Sequence, residues 1–456
     1  MKVTTIKSNW LPKGGFRLDC SPYLGGAIET EILLEELPVR KDPLGSVTSA
    51  IFNGPKFSRT FVDDPAYGVR FLGGSDLLSA DFSDLPLLSR AQAYGKQLRH
   101  LEIKPGMTLI TCSGTIGKMA YARPEMEGIW SSQHIMKVVP NPEVIPSGYL
   151  YAFLSSRFGV PLVVSGTYGS IIQSIEPAHI TGLSVPRFGD DIEQEIHQLV
   201  EAAARLRSEA SELRNSARRK IECLLNVELV GPLVANSVTV QSLDGRLDAH
   251  FHRFQSRRAR TLLAESQRSV PIGKFCVDVV GPPRGARRKV TDPHVGIGFL
   301  SSSAVFHVDP QPDFLVSRST PGLKEAEIRE TDVLVPRSGS LGGINGRVVL
   351  PLPSNYGMFG SDHLYHFRCK SHLDACYLWA VLSTSVGYQA VVSTAFGSAI
   401  PSLDIWRLKL LKMPIFDDMD RNEITSAVRK SVEFLESANS NDRQAQSLLE
   451  TAMRNR

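Results

Sequence analysis

Apolar residues recur along two long stretches of this chain with the spacing of a helix that packs through a single stripe. Between positions 192 and 225 they fall at alternating steps of four and three residues, separated by Glu, Arg, Lys and Ala. This heptad spacing predicts one long helix that pairs with another helix. A weaker stripe of the same kind runs through positions 420–453. The residues predicted to face the partner helix are Ile196, Leu199, Ala203, Leu206, Leu213, Ile424, Phe434 and Leu448.

Each predicted helix closes one copy of an internal repeat. When the sequence is shifted by 228 positions, Gly68–Leu72 aligns with Gly296–Leu300, and the apolar segment 149–156 aligns with 377–384. Self-similarity over such a distance takes priority over any local motif. The repeat divides the chain into a globular domain at 1–189, a spacer helix at 190–228, a second globular domain at 229–417 and a second helix at 418–456. Short strands and helices within each copy predict an α+β fold with two homologous α/β domains.

Length and composition agree with two globular domains. The 456 residues suffice for two or three domains with their own cores, and 42% hydrophobic and 21% charged residues are ordinary for such a protein. The absence of an apolar run of about 18 residues, and of an apolar signal core, predicts a cytoplasmic protein without a membrane span. The six Cys residues are scattered, as in reduced cytosolic proteins. A net charge of +4 permits an acidic partner without requiring one.

Two basic loops at equivalent positions of the repeat are candidates for contact with nucleic acid. A run of charges is often only a solvated surface. Because the loop is basic in both copies, phosphate or guanine contacts are the favoured interpretation. The candidate residues are Lys56 and Arg59 in the first copy and Arg284, Arg287, Arg288 and Lys289 in the second.

A glycine loop follows a strand in each copy, at 112–118 and at 337–343. Backbone N–H groups exposed in such a loop suit a phosphate. A tight turn between two strands has the same composition, so both interpretations stay open. The candidate residues are Ser113, Thr115, Lys118, Arg337, Ser338 and Ser340.

A serine–histidine corner and a glycine-rich turn also recur in both copies. The corner histidines are His134 and His363, and each either hydrogen-bonds a neighbouring strand or contacts DNA. The turns contain Tyr168, which could stack or hydrogen-bond, and Ser398. Together with the loops, these residues form the predicted DNA-binding set.

No catalytic set of residues emerges from the sequence. No nucleophile can be assigned together with a base and an orienting acid, and no paired-histidine metal motif is present. The segment 64–67 (DPAY) is only faintly similar to the Asp/Asn-Pro-Pro-Tyr loop of amino-methyltransferases, because it lacks the second proline. The chain is therefore predicted to be non-enzymatic, with no metal and no cofactor of its own.

In the order of these elements the chain resembles the specificity subunits of type I restriction–modification systems, the HsdS family. The resemblance covers nearly the whole length and rests on the order of globular unit, long helix, globular unit and long helix. The motifs that carry it are the loop 113–118 (SGTIGK) after a strand, the corner 132–134 (SQH), the helix 149–156 and the segment 172–188 that leads into the first long helix.

This resemblance implies that each domain is a target recognition domain, which reads one half of a bipartite site in double-stranded DNA. It implies that the two helices pair as an antiparallel coiled coil with pseudo-two-fold symmetry and set the distance between the halves. Two adenine methyltransferase subunits, which carry S-adenosylmethionine, would dock along the helices. A translocase–nuclease subunit can join such a complex, which serves phage defence and has no membrane partner.

Two other functions remain open from the sequence. The chain could be a repeat scaffold that binds only protein, with incidental basic loops. DNA binding that weakens steeply with salt would exclude that function. The chain could also be a self-contained DNA methyltransferase, which a test of the purified chain with labelled S-adenosylmethionine would decide.

Overall fold

The computed structural model describes residues 5–13, 16, 21–165, 174–227, 237–266 and 268–454. The chain forms two compact units. Unit 1 comprises Met1–Ser208 and Ser437–Arg456, and unit 2 comprises Glu209–Glu436. The boundary therefore passes through both long helices, whereas the sequence analysis treated the helices as segments separate from the globular domains.

Unit 1 combines short strands and helices with one end of each long helix. Its strands are β1 (Arg40–Pro43), β2 (Thr48–Phe52), β3 (Phe61–Val62), β4 (Gly68–Leu72), β5 (Leu87–Ser89), β6 (Thr108–Thr111), β7 (Met119–Tyr121), β8 (Trp130–Ser131), β9 (Ile135–Pro140) and β10 (Ser184–Arg187). Its helices are α1 (Trp10–Lys13), α2 (Ser21–Leu24), α3 (Ala27–Glu36), α4 (Arg90–Ala93), α5 (Ser147–Ser155), α6 (Gly159–Ser165), α7 (Pro177–Ile180) and the first part of α8 (Asp190–Leu224).

The strands of unit 1 form two four-stranded sheets and a two-stranded ribbon. The orders are β2-β9-β6-β7, β3-β5-β4-β8 and β1-β10. Strands β4 and β8 run parallel, with Phe71 opposite Trp130. The largest core of the unit joins β6 and β9 to α5 and α8, and it includes the fully buried Tyr149, Phe153 and Ile196. Helix α5 is apolar over most of its surface because it lies inside this core.

Unit 2 contains the matching set of elements. Its helices are the rest of α8, α9 (Ala249–His252), α10 (Phe254–Ala264), α11 (Ile272–Phe275), α12 (Leu323–Ala326), α13 (His372–Leu382), α14 (Ser385–Val392), α15 (Ile405–Leu410) and the first half of α16 (Asp418–Arg454). Its strands are β11 (Ser269–Pro271), β12 (Asp278–Val280), β13 (Lys289–Val290), β14 (Gly296–Leu300), β15 (Phe314–Ser317), β16 (Asp332–Pro336), β17 (Phe359–Gly360), β18 (Leu364–Arg368), β19 (Ala395–Phe396), β20 (Ser402–Leu403) and β21 (Lys412–Pro414).

The sheet topology of unit 2 repeats that of unit 1, except that its three-stranded sheet has no strand equivalent to β7 among the described residues. The order β13-β15-β14-β17 corresponds to β3-β5-β4-β8, and β12-β18-β16 corresponds to β2-β9-β6. Strands β14 and β17 again run parallel, with Phe299 opposite Phe359. The internal repeat seen in the sequence is therefore a repeat of strand order and strand direction, which is what the predicted fold class requires.

The two long helices pack against each other in opposite directions. Helix α8 has 35 residues and α16 has 37. In unit 2, Lys220 lies 2.8 Å from Asp420 and Arg214 donates to the Ser431 hydroxyl at 3.1 Å, so positions rise along one helix as they fall along the other. In unit 1, Arg207 contacts α16 in the same sense. The predicted antiparallel pairing of the helices is confirmed.

The register of the buried stripe differs from the prediction at five of the eight predicted positions. Ile196, Ala203 and Ile424 are buried as expected. The other five predicted residues are only half-buried, and the next residue along the helix is buried in place of each one. The half-buried residues are Leu199, Leu206, Leu213, Phe434 and Leu448, and the buried ones are Val200, Arg207, Arg214, Leu435 and Leu449.

This register follows from the wide contact face of each helix, which packs on its partner helix and on its own unit. Two buried arginines illustrate the difference, because the sequence pattern assigned charged residues to solvent. Arg207 is bound by Asn439 at 2.7 Å and by Asp442 at 2.6 Å. Arg214 lies 4.9 Å from the centre of the Trp379 ring. Buried charges of this kind are tolerated where a partner compensates their desolvation.

Within the part of the chain that the structure describes, no single helix has the length and composition to cross a membrane. Helices α13 and α14 reach that length and apolar composition only when they are taken together, and they meet at an angle of 85°. Most of their residues are buried in unit 2.

Candidate nucleic-acid interface

The first glycine loop is the turn of a hairpin in unit 1. Residues 112–118 connect the antiparallel strands β6 and β7. Gly114 and Gly117 have φ angles of 77° and 84°, which a side chain with a Cβ atom adopts only with strain. The backbone N–H groups of Gly117 and Lys118 donate to Thr111. Those two N–H groups are engaged within the hairpin, so neither is available to a phosphate.

The hairpin turn lies beside the histidine corner of unit 1. The backbone N–H of Cys112 donates to the carbonyl of His134 at 2.9 Å, and the N–H of Ile175 donates to the carbonyl of Cys112 at 3.0 Å. The glycine loop, the corner and the segment before α7 therefore meet at one end of β6.

Arg59 of the basic loop reaches the same corner. Its Nη2 donates to Oε1 of Gln133 at 3.1 Å, and its guanidinium lies 5.2 Å from the centre of the Phe71 ring. Nε2 of Gln133 is in turn 3.1 Å from Nε2 of His134. A guanidinium has five N–H donors, and within the described residues Arg59 donates only to Gln133. The remaining donors of this exposed arginine are available to a ligand.

Unit 2 places an arginine at its corner in the same way. Arg287, which is 228 positions after Arg59, forms an ion pair with Asp362, the residue before His363. Its guanidinium lies 4.6 Å from the centre of the Phe299 ring. Stacking on a ring and pairing with one neighbour hold the guanidinium in a defined position. The two units therefore share a stacked arginine and differ in whether an amide or a carboxylate holds it.

The glycine loop of unit 2 is joined to its corner by a similar set of hydrogen bonds. The backbone N–H of Arg337 donates to the carbonyl of His363 at 2.9 Å, and the N–H of Leu403 donates to the carbonyl of Arg337 at 2.7 Å. The Ser338 hydroxyl also lies 2.8 Å from Nδ1 of His363. Each corner histidine thus accepts a backbone hydrogen bond from its glycine loop.

Both corner histidines lie in regions of positive potential. Partial burial, and then the arginine and lysine of the basic loop, lower the pKa of His134 below that of a free imidazole. Partial burial, and then three nearby arginines, lower the pKa of His363 in the same way. The imidazoles are therefore neutral at pH 7, and the surrounding cations remain to attract an anion such as phosphate.

The other predicted site residues lie on the exposed rims of these two surfaces. Lys289 stands over the Phe314 ring, with its Nζ 4.0 Å from the ring centre. Tyr168 lies outside the described residues. The exposed members are Lys56, Thr115, Arg284, Arg288, Lys289, Ser340 and Ser398, and the half-buried ones are Ser113, Lys118, Arg337 and Ser338. Their contact with DNA stays a prediction.

Sequence reasoning missed the residues that hold these arginines in place. Gln133 and Asp362 occupy the position before the histidine, and Phe71 and Phe299 supply the stacking rings. The shift of 228 positions could have identified the two rings, because they align in the repeat. The partners of the arginines are polar residues of different types, so no pattern indicates them.

Asn345 joins two loops of the unit 2 interface. Its side chain is fully buried, and its Nδ2 donates to the carbonyls of Gly339 at 3.0 Å and Pro401 at 3.1 Å. These carbonyls belong to the glycine loop and to the turn that follows β19. The backbone N–H of Gly339 also donates to the carbonyl of Pro401 at 3.1 Å, so the Asn345 amide and one backbone hydrogen bond together join the two loops.

Replacement of Asn345 by Ala is expected to lower the free energy of unfolding of unit 2 by about 1–3 kcal/mol, because the carbonyl of Gly339 loses its donor and that of Pro401 keeps only the N–H of Gly339. Hydrogen–deuterium exchange should rise in both loops. Ser340→Ala, an exposed change in the same loop, is the control and should alter stability by less than about 0.5 kcal/mol. Unchanged exchange in Asn345→Ala would show that the loops are held by other contacts.

The described residues offer no cluster suited to a metal ion. No group of three or more His, Cys, Asp or Glu side chains among them could hold one. Cys112, Cys276, Cys369 and Cys376 are free thiols in buried positions, and Cys223 is a free, exposed thiol.

No protein-family model matches this chain, and no curated protein matches it in sequence. Solved structures do resemble it. One is the S subunit of a type I restriction–modification system from M. genitalium, with 10% identity, a TM-score of 0.38, and coverage of 92% of this chain and 96% of the other. A second is the HsdS subunit of Thermoanaerobacter tengcongensis, with 18% identity, a TM-score of 0.29, and coverage of 92% and 97%.

A third similar structure comes from work on complex assembly and conformational transition of the type I restriction–modification system. Its identity is 15%, its TM-score is 0.29, and the match covers 92% of this chain and 98% of the other. The first two solved structures are specificity subunits of the family that the sequence resembles. At such identities and TM-scores they assign no role to individual residues, so the interface rests on the contacts within this chain.

Proposed function

We propose that this chain is a sequence-specific DNA-binding subunit that reads a bipartite site and directs a partner adenine methyltransferase to it. One observation carries the proposal. Each unit holds an arginine on a phenylalanine ring, next to a histidine that accepts a hydrogen bond from a glycine loop. Arginine fits both phosphates and the O6 and N7 acceptors of guanine, so this arrangement suits the surface of a duplex.

The two copies differ in side chains that would face the bases. At equivalent positions, unit 1 has Gln133 where unit 2 has Asp362, and unit 1 has the buried Cys112 where unit 2 adds the half-buried Arg337. Amide, carboxylate and guanidinium groups prefer different base edges in the major groove. Two units with one frame and different side chains would therefore read two different half-sites.

The chemistry of methyl transfer would belong to partner proteins. In unit 1, helix α8 leaves Leu199 and Leu206 half-exposed beside its buried stripe. An apolar flank of this kind supports docking of another helix. The proposed partners are two methyltransferase subunits that bind S-adenosylmethionine, and a translocase–nuclease subunit could join them.

The proposed function predicts that the long helices set the gap between half-sites. One added heptad lengthens a helix by about 10 Å, which is about three base pairs of duplex. Seven residues inserted after Ser208 in α8 and before Ser437 in α16 should therefore widen the unread gap by about three base pairs. The half-sites should stay the same, because neither globular region changes. Sequencing that maps methylated adenines in cells with the chain and its methyltransferase measures both features.

The control for this experiment is an insertion in only one of the two helices. That insertion displaces contacts such as those of Arg214 and Lys220 with α16, and methylation should be lost. A paired insertion that methylates sites with the original gap would contradict the role of the helices. Absence of site-specific methylation with the unmodified chain and its methyltransferase would contradict the proposed function itself.

A further inference from the structure

Unit 2 contains a cleft of about 460 Å³ beside its histidine corner. Its walls include Arg284, Arg337, Tyr365, Phe396 and Trp406. The Trp406 side chain is 74% exposed and that of Phe396 is 54% exposed, so both rings are open to a ligand. The volume lies in the range of sites for small molecules, which is about 300–1,000 Å³.

The charge of the cleft suits an anion. Within the described residues, neither Arg284 nor Arg337 forms an ion pair, although Arg337 lies over the Tyr365 ring at 5.9 Å. The carboxylate in the wall, Asp404, is already engaged. It accepts the backbone N–H groups of Trp406 and Arg407 at the start of α15. Two guanidinium groups therefore face the cleft, and the carboxylate beside them is already engaged in hydrogen bonds.

Unit 1 shows that the fold does not require an arginine at the position of Arg337. Arg337 and Cys112 are equivalent, because each donates its backbone N–H to the corner histidine of its unit. The carbonyl of Arg337 accepts the N–H of Leu403, and the carbonyl of Cys112 accepts the N–H of Ile175. Leu403 and Ile175 each directly precede the N-cap residue of a short helix. An arginine therefore lines the cleft at a position where the other copy has a cysteine.

Two aromatic residues of the cleft are also particular to unit 2, whereas Phe396 aligns with Tyr168 in the repeat. Helices α15 and α7 begin after the capping residues Asp404 and Glu176, so Trp406 corresponds to Ala178. The strand registers make Tyr365 equivalent to Met136. Unit 2 thus carries Arg, Trp and Tyr on a frame that unit 1 builds with Cys, Ala and Met.

We propose that this cleft binds one nucleotide, with its phosphate at Arg284 and Arg337 and its base stacked on Trp406. Arginine pairs with phosphate through parallel N–H donors, and every base has a face that can stack on an aromatic ring. Lys409, whose Nζ lies 5.6 Å from the centre of the Trp406 ring, adds a further cation. The nucleotide chemistry is the same whether the ligand is free or part of DNA.

We assign the cleft to a nucleotide of the half-site that unit 2 reads, and this assignment rests on the proposed function. A base inside a duplex has both faces covered by its neighbours, so it can stack on Trp406 only after it has left the duplex. Because unit 1 has Ala178 in place of Trp406 and Cys112 in place of Arg337, only one of the two half-sites should contain such a base.

The test uses duplexes that carry the mapped site with 2-aminopurine at one position at a time, bound to the full-length chain. The fluorescence of 2-aminopurine rises when it is unstacked. We expect a rise of at least about threefold at one position in one half-site and at none in the other. Trp406→Ala should abolish the rise, whereas Trp406→Phe should keep it. Both variants should retain the salt dependence of duplex binding, because the phosphate contacts outside the cleft are unchanged.

Three results would overturn the proposal in different ways. No rise at any position, with duplex binding intact, would show that the cleft holds no unstacked base. A rise that persists in Trp406→Ala would place the unstacked base elsewhere. Saturable quenching of tryptophan emission by dAMP, absent in Trp406→Phe, with no response in any duplex, would assign the cleft to a free nucleotide. If the chain failed to bind duplex DNA at all, the proposed function would fail, and dAMP quenching would report on the cleft separately.

Discussion

A chain in which Arg284, Arg287 and Arg288 are all replaced by Ala is expected to bind duplex DNA at least about 100-fold more weakly at low salt. These residues form the densest group of cations on the unit 2 surface around the histidine corner. Arg287 is held by Asp362 and by the Phe299 ring, whereas Arg284 and Arg288 are exposed. Little conformational freedom is therefore lost when Arg287 meets a phosphate or a guanine, so its removal should be the most costly of the three.

Fluorescence anisotropy at several salt concentrations measures this effect. Each lost phosphate contact lowers the slope of log affinity against log salt by about 0.9, so the triple variant should lose up to about 3 units of slope. The matched control removes the same net charge from three exposed lysines outside the loop, Lys274, Lys370 and Lys412. Equal weakening in both variants would indicate a general charge effect, and unchanged affinity at moderate salt would exclude the loop from the interface.

Replacement of Lys137 by Met is expected to raise the free energy of unfolding of unit 1 by about 4 kcal/mol at pH 7. Lys137 is fully buried in β9, where its Nζ donates to the carbonyl of Ile135 at 3.3 Å and lies 5.5 Å from the centre of the Phe52 ring. Burial lowers the pKa of Lys137 to about 7. Met fills a similar volume without an ionisable group, so it removes this cost.

The effect has a defined dependence on pH. A free lysine has a pKa of about 10.4, so between pH 7 and pH 10 the unfolded chain binds a proton that the folded chain has released. The stability of the unmodified unit 1 should therefore rise with pH over this range, by up to about 1.4 kcal/mol per pH unit. The advantage of Lys137→Met should shrink in parallel and vanish near pH 10.

Urea titrations between pH 7 and pH 10, followed by pulsed deuterium labelling of peptides from β6 and β9, measure the stability of unit 1. Peptides from unit 2 are an internal control. At the equivalent strand position unit 2 has His366, which is buried beside Asp332 at 2.9 Å. Lys137→Arg is the second control, because its charge cannot be released and it should destabilise unit 1 at every pH. If Lys137→Met were no more stable than the unmodified chain at pH 7, this result would show that the amine of Lys137 is hydrated in the folded protein.

The fold could be predicted in outline because its signals are local or periodic. The β-branched segments at Val69 and Thr108 lie in strands β4 and β6, and the long apolar stripes lie in α8 and α16. The shift of 228 positions then related the two halves without any knowledge of contacts. The register of the stripe could not be predicted in the same way. Leu206 and Arg207 are adjacent on one helix, and only the position of the packed surfaces decides which of them is buried.

The sequence predicted which segments form the candidate interface, but not which of their side chains contact one another. The basic loop, the glycine loop and the histidine corner were each visible in the sequence. The bond from Arg59 to Gln133 spans 74 positions, and the residues that line the cleft of unit 2 extend from Arg284 to Trp406. Because Asp362 and Gln133 share no chemical type, the sequence offers no sign that they perform the same task.

The sequence by itself determined the number of repeats, the length of the two helices and the order of the motifs, because each depends on residues near one another or on a constant shift. Tertiary structure alone decided which face of each helix is buried, which side chain holds each stacked arginine, and that one unit has a cleft lined by Arg337 and Trp406. The physical reason is that these features depend on chain segments meeting in space. Side-chain volume and charge then decide between arrangements that fit the local sequence pattern equally well.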